Sequence, residues 1–335
     1  MTEKVFDIIG ENFNTTRRLK PTSPRVVQEG GKVGVSYTGQ DGSKRLLDIS
    51  DIWPADPAKL RTFQIPHVAH AVRTQNIDYL AWVINSQVAA GANIIDLCVD
   101  EIAVDPAIRH KTMIWLVPVA QKITDAVLAI DSSDPETITA GLSVHDSSKS
   151  RAAINSVNLE DGRQDLIKLA KEKNALLFAN ASGRNGMPKD EHERVQNLCE
   201  LMEMMDGAGI AVTDRYLDPL AFPASTGGAF GTHYLEAVRE IRRLYPEVHI
   251  FGGHSNTSFG LPQRKIMNHA FIILSILAGC DTLMIDPVMN PPKDFVEFKL
   301  GADVVLGKDE FAMRYMAAFR APTPARARQA MRAAG

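Results

Sequence analysis

Cysteine is scarce in this chain. The three in 335 residues, Cys98, Cys199 and Cys280, stand far apart among apolar neighbours. That spacing supports neither a disulfide framework nor a zinc site, and it predicts reduced core thiols in a reducing compartment. Long apolar runs are also missing; none approaches the roughly 20 residues a bilayer-spanning helix needs. The opening Met1-Thr2-Glu3-Lys4 has no signal-peptide h-region, so the expected location is the cytoplasm. Nor does one sign of charge dominate. With 37 basic against 40 acidic residues the net charge is −3, which gives no general electrostatic reason for a nucleic-acid or acidic-membrane partner.

What is present is an ordinary globular balance, 45% apolar and 23% charged, with ample material for a core. Apolar, β-branched segments ending in small or polar residues recur at 5–13, 92–99, 126–131, 152–157, 175–179, 215–220, 248–252 and 282–285. Stretches with helical spacing lie between most of them, at 79–90, 113–126, 135–141, 166–173, 191–208, 233–244 and 262–278. Each stops near Gly, Asn or a Pro-containing turn. Sustained strand–helix alternation argues for parallel strands joined by crossover helices. A doubly wound open sheet is the alternative, but eight strands favour a (β/α)8 TIM barrel. The expected organisation is one barrel domain over residues 1–320.

Two parts depart from the repeat. Residues 17–72 form a long insertion after the first strand, far beyond a usual βα loop. Within it Lys32–Tyr37 and Lys44–Ile49 flank Gly39-Gln40-Asp41-Gly42, the pattern of a hairpin, followed by an irregular Pro-containing stretch. His67 and His70 fall in that stretch and read as surface or packing histidines rather than metal ligands. Residues 321–335 form an Ala/Arg-rich tail with no assigned role.

In such a barrel the active site lies at the C-terminal ends of the strands. Those ends carry Glu11, Asn12 and Asn14; Asp96, Cys98 and Asp100; Asp131 and Ser132; Asn155, Ser156 and Asn158; Asn180 and Ser182; Asp218; His254, Ser255 and Asn256; and Asp286. Carboxylates and amides dominate, with no nucleophile–base pair and no three-ligand metal spacing. A carboxylate accepts two parallel N–H bonds from an amino-pyrimidinone edge, and Asn donates and accepts at once. The plain alternative for any one of them, Asp131 or Asn158 for instance, is to cap the following helix. A shared chemical bias at eight strand ends argues against capping alone.

Five segments in register carry a family resemblance. They are Ile8-Ile9-Gly10-Glu11-Asn12-Phe13-Asn14, Leu128-Ala129-Ile130-Asp131-Ser132, Ile154-Asn155-Ser156-Val157-Asn158, Leu217-Asp218-Pro219-Leu220 and His254-Ser255-Asn256-Thr257-Ser258-Phe259-Gly260. Together they resemble the pterin-binding methyltransferases that move a methyl group between methyltetrahydrofolate and a corrinoid, including the folate module of cobalamin-dependent methionine synthase. The likeness spans roughly residues 5–288 except the insertion. It implies that Asp131, Asn155 with the adjacent Ser156, and Asp218 hold the pterin edge, and that Asn256 lies near the methyl-bearing N5 as the catalytic side chain. It further implies that Asn14 and Asp96 line the same pocket, and that Arg264 stands near the mouth or binds the glutamate tail. Tetrahydrofolate or methyltetrahydrofolate is then the substrate. Cobalamin would arrive on a partner corrinoid protein, because the chain has no Asp-x-His-x-x-Gly motif.

The direction of transfer stays open at this point; a homodimer is expected, although no sequence feature sets the oligomeric state. Two departures stand out: Asp96-Leu97-Cys98 replaces the family's usual Asp-x-Asn, and the insertion is longer than in compact members. Dihydropteroate synthase is the rival within the superfamily. It usually carries an Arg-x-His motif at strand eight, where this chain reads Leu283-Met284-Ile285-Asp286-Pro287. A non-catalytic folate-binding or corrinoid-docking protein is the rival of another class.

Overall fold

The computed structural model describes residues 5–320; the tail expected at 321–335 lies outside the described residues. Eight strands form one parallel sheet: β1 (Asp7–Gly10), β5 (Ile94–Cys98), β6 (Val127–Asp131), β7 (Ala152–Val157), β8 (Leu176–Asn180), β9 (Arg215–Asp218), β10 (His249–Ile250) and β11 (Thr282–Ile285). Their order is β10-β9-β8-β7-β6-β5-β1-β11. A parallel bridge between Gly253 and Met284 joins the two ends, and Asp281 N–H donates to the Ile250 carbonyl at 3.3 Å. The sheet therefore closes on itself as a (β/α)8 barrel, and the eight strands fall on the eight apolar segments of the sequence.

Between them run α2 (Ile77–Ala89), α3 (Pro106–Ile123), α4 (Pro135–Ser143), α5 (Asp165–Lys173), α6 (Glu191–Gly207), α7 (Phe230–Leu244) and α8 (Arg264–Ala278). Their starts are set by side-chain caps: Asn76 accepts from Tyr79 N–H, Asp105 from Ala107, Asp134 from Glu136 and Asp190 from Glu193. Helix α3 begins seven residues earlier than its apolar spacing suggests, because Asp105-Pro106 supplies a cap and a Pro at N1. Asn174, at φ 51°, ends α5 in the left-handed region.

Alternate strand residues point inward and fill the barrel. Ile9, Ile94, Ala129, Ala153, Leu176, Phe178, Tyr216 and Phe251 form one buried cluster. The Phe178 ring lies 5.0 Å from Tyr216 and 5.1 Å from Phe251, within the range of favourable aromatic pairing. Below them the Tyr216 hydroxyl donates to Asp7 Oδ2 at 3.1 Å. With the interior filled by side chains, ligand chemistry is confined to the strand ends.

The insertion is ordered. β2 (Val26–Glu29), β3 (Lys32–Thr38) and β4 (Lys44–Asp48) make a three-stranded antiparallel sheet. Helix α1 (His67–Arg73) follows, so His67 and His70 sit on a helix and not in an irregular stretch. The insertion docks on the first turns of α2. Tyr37 OH donates to Asp78 Oδ2 at 2.7 Å, and Arg45 Nη1 reaches the same oxygen at 2.5 Å. Tyr79 OH stands between His67 Nδ1 at 2.8 Å and Arg25 Nη2 at 2.7 Å, with the Arg25 guanidinium 4.4 Å over Trp82. Burial and the nearby Arg25 push His67 down to about 3, so it is a neutral packing group. The start of α2 lies at the strand-end side of the barrel, which puts the insertion on the rim of the mouth. Arg73 Nη2 fastens it there, donating to the Ile102 carbonyl at 2.8 Å.

Residues 6–291 form one compact unit, and a second begins at Pro292. Within the latter, α9 (Pro292–Val305) and α10 (Met313–Phe319) are tied by Asp303, which accepts from Lys299 and from Arg314 Nη2.

Phe178→Ala removes the central ring of the barrel interior. It should cost about 3–5 kcal/mol of stability, read from the shift in a denaturant unfolding midpoint, with Phe178→Leu costing less than half as much.

Candidate active site

Strand register assembles the first half of the site. Cys98 pairs with Asp131 across β5 and β6, and Asp131 with Asn155 across β6 and β7. Asn155 Nδ2 donates to Asp96 Oδ1 at 2.9 Å, which fixes the amide's orientation and leaves its carbonyl oxygen for a ligand. The second Asp96 oxygen is buried, with no hydrogen-bond donor among the described residues. It faces Asp131, and burial with that neighbouring charge pushes Asp96 well above the carboxylate range. The consistent arrangement is a neutral Asp96 whose proton is donated to the Asp131 carboxylate. Asp131 itself is raised to about 6 by burial, held down in part by the Cys98 thiol and the Arg163 charge. Burial keeps Cys98 protonated, so the thiol supplies a weak donor where the family has an amide.

Asp96, 1% exposed, thus lies behind Asp131 and Asn155. Asp131 does not cap α4; Asp134 does. Ser156 is buried and accepts from Asn180 Nδ2 at 2.7 Å. Asn158 Oδ1 accepts from Glu160 N–H at 2.9 Å, the local turn role.

Asp218 closes the other half, at the end of β9. Its Oδ1 accepts the Leu220 N–H at 2.8 Å across Pro219, and Leu220 is held at φ +66°, a left-handed conformation unusual for a leucine. Burial lifts Asp218 to about 7, against the pull of the Leu220 amide and Arg194.

Asn256 rides on a short 3-10 turn, His254–Ser258, after β10. The turn is pinned on three sides. Ser255 Oγ donates to Glu11 Oε1 at 2.6 Å, and Ala224 N–H to the Thr257 carbonyl at 3.0 Å. Arg264 reaches the Ser255 carbonyl at 2.8 Å and Ser258 Oγ at 3.0 Å. The Asn256 side chain is exposed, with no hydrogen-bond partner among the described residues. A side chain at Gly253 would come within 2.9 Å of its amide nitrogen. Behind the turn His254 is fully buried against Tyr234 and Phe271, and burial pushes it down to about 4.

Between these halves Asn12 Nδ2 donates to Asp286 Oδ1 at 2.9 Å, and Arg17 pairs with Glu11 at 3.0 Å. Asn14 Oδ1 accepts from Thr16 N–H and Oγ1 at 2.9 and 2.7 Å, so its carbonyl oxygen is engaged in its own turn. Among the described residues no three His, Cys, Asp or Glu side chains are grouped to hold a metal ion.

Two arginines absent from the strand-end inventory stand behind the carboxylates. Arg163, 5% exposed, donates to the Ser156 carbonyl at 2.5 and 3.1 Å, to Ser133 O at 2.6 Å and to Ser132 O at 3.1 Å. It staples the ends of β6 and β7. Arg194, fully buried on α6, stands behind Asp218.

The profile of the family described as "Pterin binding enzyme" matches residues 68–286. The chain belongs to the pterin-binding enzyme family. It is 29% identical over 259 residues to a methylcorrinoid:tetrahydrofolate methyltransferase of Eubacterium limosum, a match covering 76% of this chain and 92% of that protein. It is also 29% identical over 218 residues to the methionine synthase of Mycobacterium tuberculosis, covering 61% of this chain but only 18% of that much longer protein. Among solved structures, a Yersinia pestis DHPS with a pterine-sulfa conjugate superposes with a TM-score of 0.55. It has 17% identity over 69% of this chain and 90% of that one, a likeness of fold.

Arg163→Met strips the donors from three carbonyls at the ends of β6 and β7. It should destabilise the protein by roughly 2–4 kcal/mol, measured by denaturant unfolding; an unchanged midpoint would show that the staple carries no load.

Proposed function

We propose that this family member transfers a methyl group between N5 of tetrahydrofolate and the corrinoid of a separate protein, in the direction from methylcorrinoid to tetrahydrofolate. The observation that carries the reading is the pairing of two environments at one mouth. Asp131, Asp218 and the oriented Asn155 carbonyl form an acceptor-rich wall, and the unbonded Asn256 amide stands on a pinned turn beside it. The relative matched over nearly its whole length bears the name of that reaction and direction.

The wall suits the donor edge of an amino-pyrimidinone ring, whose parallel N–H groups meet a carboxylate two at a time. Neutral Asp96 and Cys98 keep Asp131 in place as an acceptor. Asn256 attends N5. The N5 lone pair would form the new bond to the methyl carbon as the carbon's bond to the carrier breaks and leaves its electron pair on the carrier, and the N5–H proton must then leave. Asn256 turns its carbonyl toward N5–H⁺ or its amide toward unprotonated N5, so it stabilises either side of the step without titrating. In the reverse direction the same contact stabilises the protonated N5 that makes the leaving amine neutral. The corrinoid, carried by its partner, supplies or accepts the methyl group at cobalt. Arg264 holds the Asn256 turn by two bonds, which fits a positioning role better than a clamp on the glutamate tail.

Homodimerisation belongs to the same proposal, and α8 is the face that supports it. Ile266, Leu274 and Leu277 on its outer side are 68%, 46% and 44% exposed, and no Asp, Glu, Lys or Arg lies between Ile266 and Ala278. Such a stripe is usual at an interface between copies. Light scattering should give a dimer that Leu274→Glu with Leu277→Glu splits; a monomeric parent chain would reject it.

The activity is tested by mixing the chain with methylcobalamin or cob(I)alamin and the matching folate and following the cobalt spectrum. Methyl transfer should occur in both directions. Asn256→Ala should lower turnover about 100-fold or more while changing folate affinity less than about threefold. Retained turnover in that variant would remove Asn256 from the mechanism.

A further inference from the structure

We infer that Arg194 is a positioning residue for Asp218, acting through the backbone of Leu220 and through its own charge. The inference rests on the reading of Asp218 as a pterin-binding carboxylate, and it adds a residue to which neither the family match nor the resemblance gives a role.

Arg194 occupies an odd place. It lies in the first turn of α6, where the helix dipole disfavours a cation and where Glu191 and Glu193 are the expected residues. Its side chain is nonetheless 0% exposed, the largest fully buried side chain of the described residues. Burying a guanidinium is costly unless it is paired. Its hydrogen bonds are few. Nη1 donates to the Asp190 carbonyl at 2.8 Å, Nη2 makes a long 3.4 Å contact with the Leu220 carbonyl, and among the described residues Nε is buried with no partner. The plane stacks on Phe222 with the guanidinium carbon 4.7 Å from the ring centre. Its chief electrostatic partner is Asp218.

The geometry links the two in a short chain. Arg194 contacts the carbonyl of Leu220, and the amide of Leu220 donates to Asp218 Oδ1 at 2.8 Å. Leu220 sits at φ +66°, and the peptide groups on either side of its Cα are each held by one of these contacts. This arrangement turns one Asp218 oxygen to the backbone and frees the other for a ligand. The groups facing Asp218 from the packed elements are Arg194 on α6, Tyr234 on α7 and Cys280 before β11. Burial keeps Tyr234 and Cys280 protonated. Arg194 is therefore the charge that opposes burial and favours the ionised carboxylate.

Two readouts separate this from mere packing. Asp218 should titrate near 7 in the ligand-free parent chain, followed by carboxyl-carbon NMR and assigned with Asp218→Asn. In Arg194→Met its midpoint should rise by about one unit, and the acid limb of affinity for an oxidised pterin should move by the same amount. Arg194→Lys should restore most of both. Phe222→Leu, which loosens the stack but keeps the charge, should leave the midpoint in place and serves if Arg194→Met does not fold; a shift there would assign the effect to packing. An unshifted midpoint in folded Arg194→Met, or an affinity loss uniform across pH, overturns the inference. A parent chain that shows the Asp218 midpoint but binds no pterin defeats the binding reading instead, and leaves the electrostatic link between Arg194 and Asp218 standing.

Discussion

Carboxylates drawn partly out of water need compensation, and this protein places two of them, half-buried, at the ends of β6 and β9 in one barrel mouth. Burial lifts Asp131 to about 6 and Asp218 to about 7, and the surrounding structure opposes that lift with chosen partners. Neutral Asp96 and the Cys98 thiol donate to Asp131, while the Leu220 amide donates to Asp218. Buried Arg163 and Arg194 add positive charge from behind. The barrel makes this possible because its strands end together, and because Phe178, Tyr216 and Phe251 fill the interior beneath.

Much of this was legible in the residue order. The eight strands follow from short β-branched runs closing on polar residues, and helix starts such as Asp134-Pro135 follow from cap chemistry. The placement of Asp131, Asn155, Asp218 and Asn256 at or just after strand ends was readable because a strand end in a parallel barrel has a known destination. The hairpin at 32–48 was readable from Gly39-Gln40-Asp41-Gly42 between two alternating runs. His67 and His70 were harder. Their helix has seven residues and leans on packing against Tyr79 and Asp48, which no local pattern records.

The supporting charges were illegible for a related reason. Arg163 and Arg194 lie on a loop and on a helix, outside the strand ends, and their partners are backbone carbonyls that carry no sequence signature. The one local clue was Arg194 itself, a cation in a first turn that the helix dipole would fill with Glu. The separate roles of Asp96 and Asp131 also needed coordinates. Both end strands, and only the register of β5 against β6 shows that one backs the other. Cys98, the visible departure from the family pattern, is a protonated thiol whose presence lowers the Asp131 carboxyl against the effect of burial.

On the proposed reading, the two half-buried carboxylates meet a pterin's N–H edge. If so, ligand binding must favour their ionised forms. Near pH 6 the free protein holds a substantial share of protons on Asp131 and Asp218, since both midpoints lie well above the ordinary carboxylate value. Donation by the ligand lowers those midpoints and expels protons. The direct measurement is calorimetric titration at pH 6 with an oxidised pterin, whose N5 takes no proton there, in buffers of different ionisation enthalpy. Net proton release that fades above pH 8 is the expected result. Binding with no proton exchange, or with proton uptake, would contradict it.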